Sequence, residues 1–420
     1  MNYSKFGEKF TRPNAITQLM EDLGKANQGK NPDLVMLGGG NPAIIPQAQA
    51  VFVKELQQIV TGEQTEQMLG LYDGPQGNEQ FIKSLVRMLN ETYGWSLIAA
   101  NVALTNGSQN SFFSLFNLFA GEMPDGRVKK VLFPLVPEYV GYADQGLIDN
   151  MFISVKPEIH MLEQQQFKYQ IDFNAVASLL QKRSEEIGVI CLSRPTNPTG
   201  NVVTDTELAQ LDKLAQQYRI PLIVDNAYGH PFPGVIYTDA QLTWNANTIL
   251  CMSISKLGLP GLRTGIVIAN EQTIQAMSRI AGIMTLAPNS AGATLLTRLL
   301  EEQRILPLCE QVIKPYYQEK AAIAVKLFNE IFAGLPVYLH KLEGAFFMWL
   351  WFRDMGVSSD QLYADLKKQG VYVIPGHDAF MGVDSRWAHQ YQCVRINYAK
   401  EEAVLLRGLQ AIKVYLESTP

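Results

Sequence analysis

Lys256 stands in Ser253-Ile-Ser-Lys-Leu-Gly-Leu-Pro-Gly-Leu-Arg263, behind an apolar run and ahead of glycines that let a backbone approach an anion. A lysine that is desolvated or crowded by other cations gives up its proton readily and can form a Schiff base with an aldehyde. Ser253, Ser255 and Arg263 supply two hydroxyls and a guanidinium fork of the kind that holds a phosphate. Asp225 follows a second apolar run, where a carboxylate is costly without a positive partner, and a pyridinium nitrogen is such a partner. A lysine Schiff base beside an acid paired to a ring nitrogen is the chemistry of pyridoxal phosphate.

These groups need rigid elements behind them. Val102–Thr105, Val131–Phe133, Ile187–Leu192, Pro221–Val224, Thr248–Met252 and Thr264–Ala269 are short, apolar and rich in Val, Ile or Leu. Such runs read as strands buried on both faces, the pattern of a mostly parallel sheet covered by helices. Helices are expected between them, for example Ser108–Ala120 and Asp205–Tyr218, the latter capped by Thr204. Polar clusters follow five of the strands: Asn106-Gly-Ser-Gln109, Pro137-Glu-Tyr139, Asn197-Pro-Thr-Gly200, Asp225-Asn-Ala-Tyr228 and Ser253-Ile-Ser-Lys256. Open α/β sheets bind ligands at that carboxyl edge. The fold class is therefore α/β. Past Gly282, long helices between Ala291 and Ile331 lead to strand-like runs at Gly344–Phe352, Val371–Ile374 and Val394–Tyr398, separated by a helix over Ser358–Gln369. That texture reads as a smaller α+β domain. Residues 49–313 form the expected large domain, and 1–48 with 314–420 the small one.

Composition narrows the partners. Lys+Arg 35 against Asp+Glu 40 gives a net charge of −5 with no basic tract, so nucleic acid is not an expected ligand. No apolar run approaches the ~18 residues of a membrane span. The four cysteines lie far apart without a Cys-x-x-Cys pair, and the first ten residues are too polar for a signal peptide; both suit the cytoplasm. The five histidines form no His-x-x-x-His pair and are read as structural, with His230 a possible neighbour of the pocket; no metal site is expected.

Asn197-Pro-Thr-Gly200, Asp225-x-Ala-Tyr228 and Ser253-x-Ser-Lys256 with Arg263 resemble the motifs of fold-type I pyridoxal-phosphate aminotransferases. The resemblance runs through nearly the whole chain. Met36-Leu-Gly-Gly-Gly-Asn-Pro42, Tyr72-Asp-Gly-Pro-Gln-Gly77, Leu104-Thr-Asn-Gly-Ser-Gln109, Phe133-Pro-Leu-Val-Pro-Glu-Tyr139 and Ser193–Asn201 look more narrowly like the valine–pyruvate aminotransferases. It implies a seven-stranded-type sheet and a role for each matching residue. Lys256 would carry pyridoxal 5'-phosphate and move the substrate proton, and Asp225 would pair with the ring nitrogen. Tyr228 and Asn197 would meet the phenolic oxygen, and Tyr139 would stack on the ring. Gly107, Ser108, Gln109, Ser253, Ser255 and Arg263 would hold the phosphate. Arg395, with Asn197 and a backbone amide at Gly39, would grip the substrate carboxylate. Tyr72 would reach a neighbour's phosphate, which implies a homodimer with shared active sites.

The reaction that the resemblance implies is a ping-pong transamination of amino-acid and 2-oxo-acid substrates, L-valine with pyruvate giving 2-oxoisovalerate and L-alanine. The same residues would serve another small or apolar amino acid, or a lyase or decarboxylase with the same cofactor. Gly258-x-x-Gly261-x-x-x-Gly265 lacks the dinucleotide spacing, so no nicotinamide site is expected. Phe346-Phe-Met-Trp-Leu-Trp-Phe352 reads as strand core rather than as a substrate wall.

Overall fold

In the computed structural model, which describes residues 2–14, 16–17, 20–21, 24, 34–354, 356 and 358–418, the apolar runs become a central sheet. Ile187–Ser193 and Thr248–Ser253 are buried along their whole length, as strands must be when helices cover both faces. Across the sheet the order is Val102–Thr105, Gly265–Ile268, Thr248–Ser253, Leu222–Asp225, Ile187–Ser193 and Val128–Phe133. Phe152–Ser154 joins the last of these in parallel, and the two-residue strand Gly121–Glu122 makes eight in all. Gly265–Ile268 runs antiparallel to both neighbours. Its start, with Arg263 just before it, therefore arrives at the edge where the parallel strands end.

Local chemistry fixes the helix starts. Thr204 and Glu207 form a reciprocal capping box before Asp205–Gln217. Ser108–Phe119 begins directly after its strand and packs across five strands of the sheet. The helical region past residue 290 is broken into Ser290–Glu301, a turn at Ile305–Leu308, a π-helical turn at Cys309–Ile313, and Lys314–Ile331 with Pro315 in its first turn. Among the described residues no helix is long and apolar enough to cross a membrane.

The second sheet has six strands, ordered Ile374–Pro375, Cys393–Asn397, Phe347–Phe352, Val337–His340, Gln166–Gln170 and Glu158–Met161. Val371–Tyr372 separates from Ile374–Pro375 and pairs in parallel with Val35–Met36, which fastens the chain's beginning to this part of the molecule. Two features of this sheet lie outside the elements expected from the sequence. Val337–His340 is a strand, and the hairpin Glu158–Gln170, from inside the 49–313 stretch, extends the smaller sheet through pairing of Gln166 with Leu339. The hairpin's alternation in Gln-Phe-Lys-Tyr-Gln buries only Phe167 and Tyr169. Its sheet membership is decided by a partner far away in the chain.

Candidate active site

A cavity of about 620 Å³ opens at the carboxyl ends of the central strands. Lys256 enters it from a single turn of 3₁₀ helix, Ser255–Leu257, immediately after Thr248–Ser253. Its Nζ donates to the Gly40 carbonyl at 2.9 Å and lies 5.5 Å from the centre of the Tyr228 ring. Burial lowers its pKa to about 8; the nearby charges of Arg395 and Arg263 push the same way and Asp225 opposes them. Asp225 ends Leu222–Asp225 and is only 9% exposed. Its Oδ1 accepts the Ala227 amide at 3.0 Å and its Oδ2 accepts the Tyr142 hydroxyl. Burial raises its pKa to about 6, against those two bonds and the Lys256 charge.

The anion-holding end is built by close approach. Gly107 has φ of 90°, and a Cβ there would collide with the Arg263 guanidinium. Glycine thus lets Arg263 lie against the start of Ser108–Phe119, whose first amides point outward. Arg263 Nη1 also reaches Ser255 Oγ at 3.5 Å. Gly200, with φ of 72°, does similar work at the Asn197 turn, where a Cβ would stand 2.6 Å from the Gly344 carbonyl of the smaller sheet's side.

Arg395 comes from the smaller sheet, on Cys393–Asn397, and is 2% exposed. Its Nη1 donates to Asn197 Oδ1 and its Nη2 to the Gly38 carbonyl, both at 2.7 Å. The guanidinium lies 4.4 Å from the centre of the Phe347 ring, and Nε is buried without a partner.

Ten of the expected residues line this one cavity: Ser108, Gln109, Tyr139, Asn197, Asp225, Tyr228, Ser255, Lys256, Arg263 and Arg395. Gly107 backs Arg263. Ser253 sits one layer behind, its Oγ accepting the Ser255 amide at 3.1 Å. The Gly39 carbonyl accepts from Asn397 Nδ2 at 2.7 Å, and its neighbours Gly40 and Asn41 line the cavity. Tyr72 is 83% exposed and outside the cavity of its own chain. His230 lines a separate small cleft with Arg194. Phe347–Phe352 is fully buried strand core as expected, although Phe346 and Phe347 also pack edge-on against Tyr228 at 5.2 and 5.8 Å. Sequence reasoning missed the lining residues Ile16, Met20, Phe112 and Ser193, and the support of Asp225 by Tyr142. The Tyr139-x-x-Tyr142 spacing was the available signal for the last.

The donor set fits pyridoxal phosphate. Tyr228's hydroxyl is buried with no partner, the glycine-made recess beside Arg263 suits a phosphate, and a buried acid and a lysine of lowered pKa share the cavity. The sequence profile of the aminotransferase class I and II family matches residues 32–412. The chain belongs to that family. Such aminotransferases depend on pyridoxal phosphate, and this one has their fold-type I architecture. It is 48% identical over 99% of its length to the valine–pyruvate aminotransferase of Escherichia coli K12, covering 98% of that protein. A putative amino-acid aminotransferase from Psychrobacter arcticum superposes with a TM-score of 0.97 at 44% identity, covering 100% of this chain and 99% of that one. The valine–pyruvate aminotransferase of Salmonella typhimurium gives 0.87 at 46% identity, covering 96% and 99%. This aminotransferase also shares its fold, at 18% identity and a TM-score of 0.81, with a Pyrococcus horikoshii kynurenine aminotransferase, the coverage being 99% and 96%.

Proposed function

We propose that this aminotransferase moves the amino group of L-valine to pyruvate, giving 2-oxoisovalerate and L-alanine, at the Lys256 cavity. The observation that carries the substrate choice is 48% identity to a valine–pyruvate aminotransferase along essentially the full length. The lining agrees with an apolar side chain. Its described cations are Lys256, Arg263 and Arg395, and each has a role other than binding a side-chain carboxylate. Ile16, Met20 and Phe112 add apolar surface. An apolar pocket discriminates by only about 1–3 kcal/mol per methylene, so other small aliphatic amino acids should react more slowly.

The site residues divide the work. Arg263, Ser255 and the amides after Gly107 bind phosphate, with Gln109 beside them. Asp225 is the anion facing the ring nitrogen, Tyr139 offers a ring face, and Tyr228 and Asn197 orient the phenolic oxygen. When bound, pyridoxal phosphate supplies the electron sink for the pair released at the substrate's Cα. Arg395 binds the substrate carboxylate, oriented by Asn197 and the Gly38 carbonyl. Lys256 takes the α-proton at Nζ and returns it, a general-base step that its pKa of about 8 favours near neutral pH. Both half-reactions use the same groups, hence ping-pong kinetics.

A homodimer completes the reading. Val53, Leu56, Val60, Leu69, Leu71 and Ile283 are large, apolar and exposed on neighbouring segments around Tyr72. A second copy would cover them, with Tyr72 reaching the partner's phosphate site. The proposed domains remain 49–313 and 1–48 with 314–420, the hairpin Glu158–Gln170 crossing between them, and four unpaired cysteines suit a cytoplasmic location. Purified protein given L-valine and pyruvate should form alanine. Carbon dioxide or ammonia without alanine would establish a decarboxylase or lyase instead. Mixing inactive Tyr72→Ala and Lys256→Ala chains should restore activity; mixtures that form heterodimers but stay inactive exclude the shared site.

A further inference from the structure

Behind Asp225 lies a second buried carboxyl that transamination does not use. Glu138 is 1% exposed and directly precedes Tyr139. Its Oε1 accepts the Ser193 amide at 2.8 Å and its Oε2 accepts the Ser193 hydroxyl, a bond that reverses when the carboxyl carries the proton. Ser193 Oγ is 3.5 Å from the Tyr142 hydroxyl, which donates to Asp225. Among the described residues Glu138 makes no ion pair. The titratable groups around it are Asp225, Tyr142 and Cys191, none of which supplies a positive charge. A buried, unpaired carboxylate beside another carboxylate is expensive, and neutralisation is the usual outcome.

We infer that Glu138 is a protonated positioning residue, the far end of a donor chain running Glu138 to Ser193 to Tyr142 to Asp225. With the proton on Glu138, its O–H donates to Ser193 Oγ, which frees the serine hydroxyl to turn toward Tyr142. The tyrosine in turn donates to Asp225. Every donor then points toward Asp225, and the network carries a single negative charge at the carboxyl that faces the cavity. Burial pushes the Glu138 pKa up to about 8, against the bonds from the Ser193 hydroxyl and amide and from the Tyr139 amide, and the charge of Asp225 adds to that rise. An ionised Glu138 would pull the serine hydroxyl back and place a second anion in the same apolar setting. The inference rests on Asp225 being the partner of the cofactor nitrogen.

Two measurements decide it. Infrared spectra of cofactor-free protein at pH 7 should contain a buried carboxylic-acid carbonyl stretch that shifts in D₂O and vanishes in Glu138→Gln. Absence of that band in the wild type, or its survival in the variant, overturns protonation whatever the cofactor does. Pyridoxal phosphate affinity, followed by absorbance, should weaken about tenfold in Glu138→Ala and return to within about threefold of wild type in Glu138→Gln, which keeps a neutral donor. Equal weakening in both variants would mean that the charge is needed and overturns the donor chain, as would undiminished affinity in a folded Ala variant. If the Ala variant does not fold, Glu138→Gln and the infrared band still decide between the two charge states. If the band behaves as expected while no variant alters affinity, Glu138 is protonated but does not position Asp225, and the donor chain is overturned. Asp225→Asn, which should itself weaken pyridoxal phosphate binding, tests the assignment of Asp225 separately.

Discussion

Lys256, half-buried, and Arg395, fully buried, are both cations facing one cavity, but the regions that present them hold charge in opposite ways. The carboxyl edge of the central sheet gives Lys256 a single carbonyl acceptor and sets it near the charges of Arg395 and Arg263. The antiparallel strand Cys393–Asn397 gives Arg395 an acceptor on each Nη and an aromatic face beneath. Desolvation acts on both. A lysine answers it by releasing its proton, whereas a guanidinium keeps its charge and seeks acceptors. Desolvation thus makes one cation a base and the other a clamp.

Removing the base is the most severe way to probe this contrast. Lys256→Ala should lower alanine formation from L-valine and pyruvate by about 10³-fold or more, the scale of a lost general base. A variant with near-native turnover would end the assignment. Arg395→Lys keeps the charge but loses the two-pronged geometry. The KM for L-valine should rise about 10- to 100-fold, more than kcat falls. An unchanged KM would make Arg395 a structural group.

The difference in proton release has its own signature. Only the neutral amine attacks an aldehyde, and below about pH 8 its fraction falls about tenfold for each unit of pH. The rate at which cofactor-free protein captures pyridoxal phosphate should therefore rise through that range and level off above it, as stopped-flow absorbance would record. A rate that falls with rising pH would show the ammonium form acting. The smallest effect is expected from Phe347→Leu, which removes the ring under Arg395. A buried cation–π contact of about 0.5–2 kcal/mol should appear as a few-fold higher KM with little change in kcat.

Much of the cavity was legible because its groups follow uninterrupted apolar strands, where burial and turn chemistry are local properties. Lys256, Asp225 and Ser108 could be placed at one sheet edge from their own neighbours in the chain. Gly39 and Ser253 show the limit of local reading: their loops are legible, but that Gly40, Asn41 and Ser255 line the cavity is not. The small sheet was only partly legible. Phe167 and Tyr169 look like an ordinary exposed hairpin until Leu339 and His340 are set beside them. Tyr72 is legible as a motif, yet its own chain gives it no partner at the cavity.

The sequence by itself determined the α/β class, the strand ends that carry chemistry and the residue types gathered there. Those follow from hydrophobic period, glycine placement and capping, each acting over a few residues. Tertiary structure decided which carboxyl stays charged, how far the Lys256 pKa falls, and that Arg395 meets Asn197 across two sheets. Those outcomes depend on desolvation and hydrogen bonds from segments remote in the chain, as when Tyr142 and Ser193 close around Asp225 and Glu138.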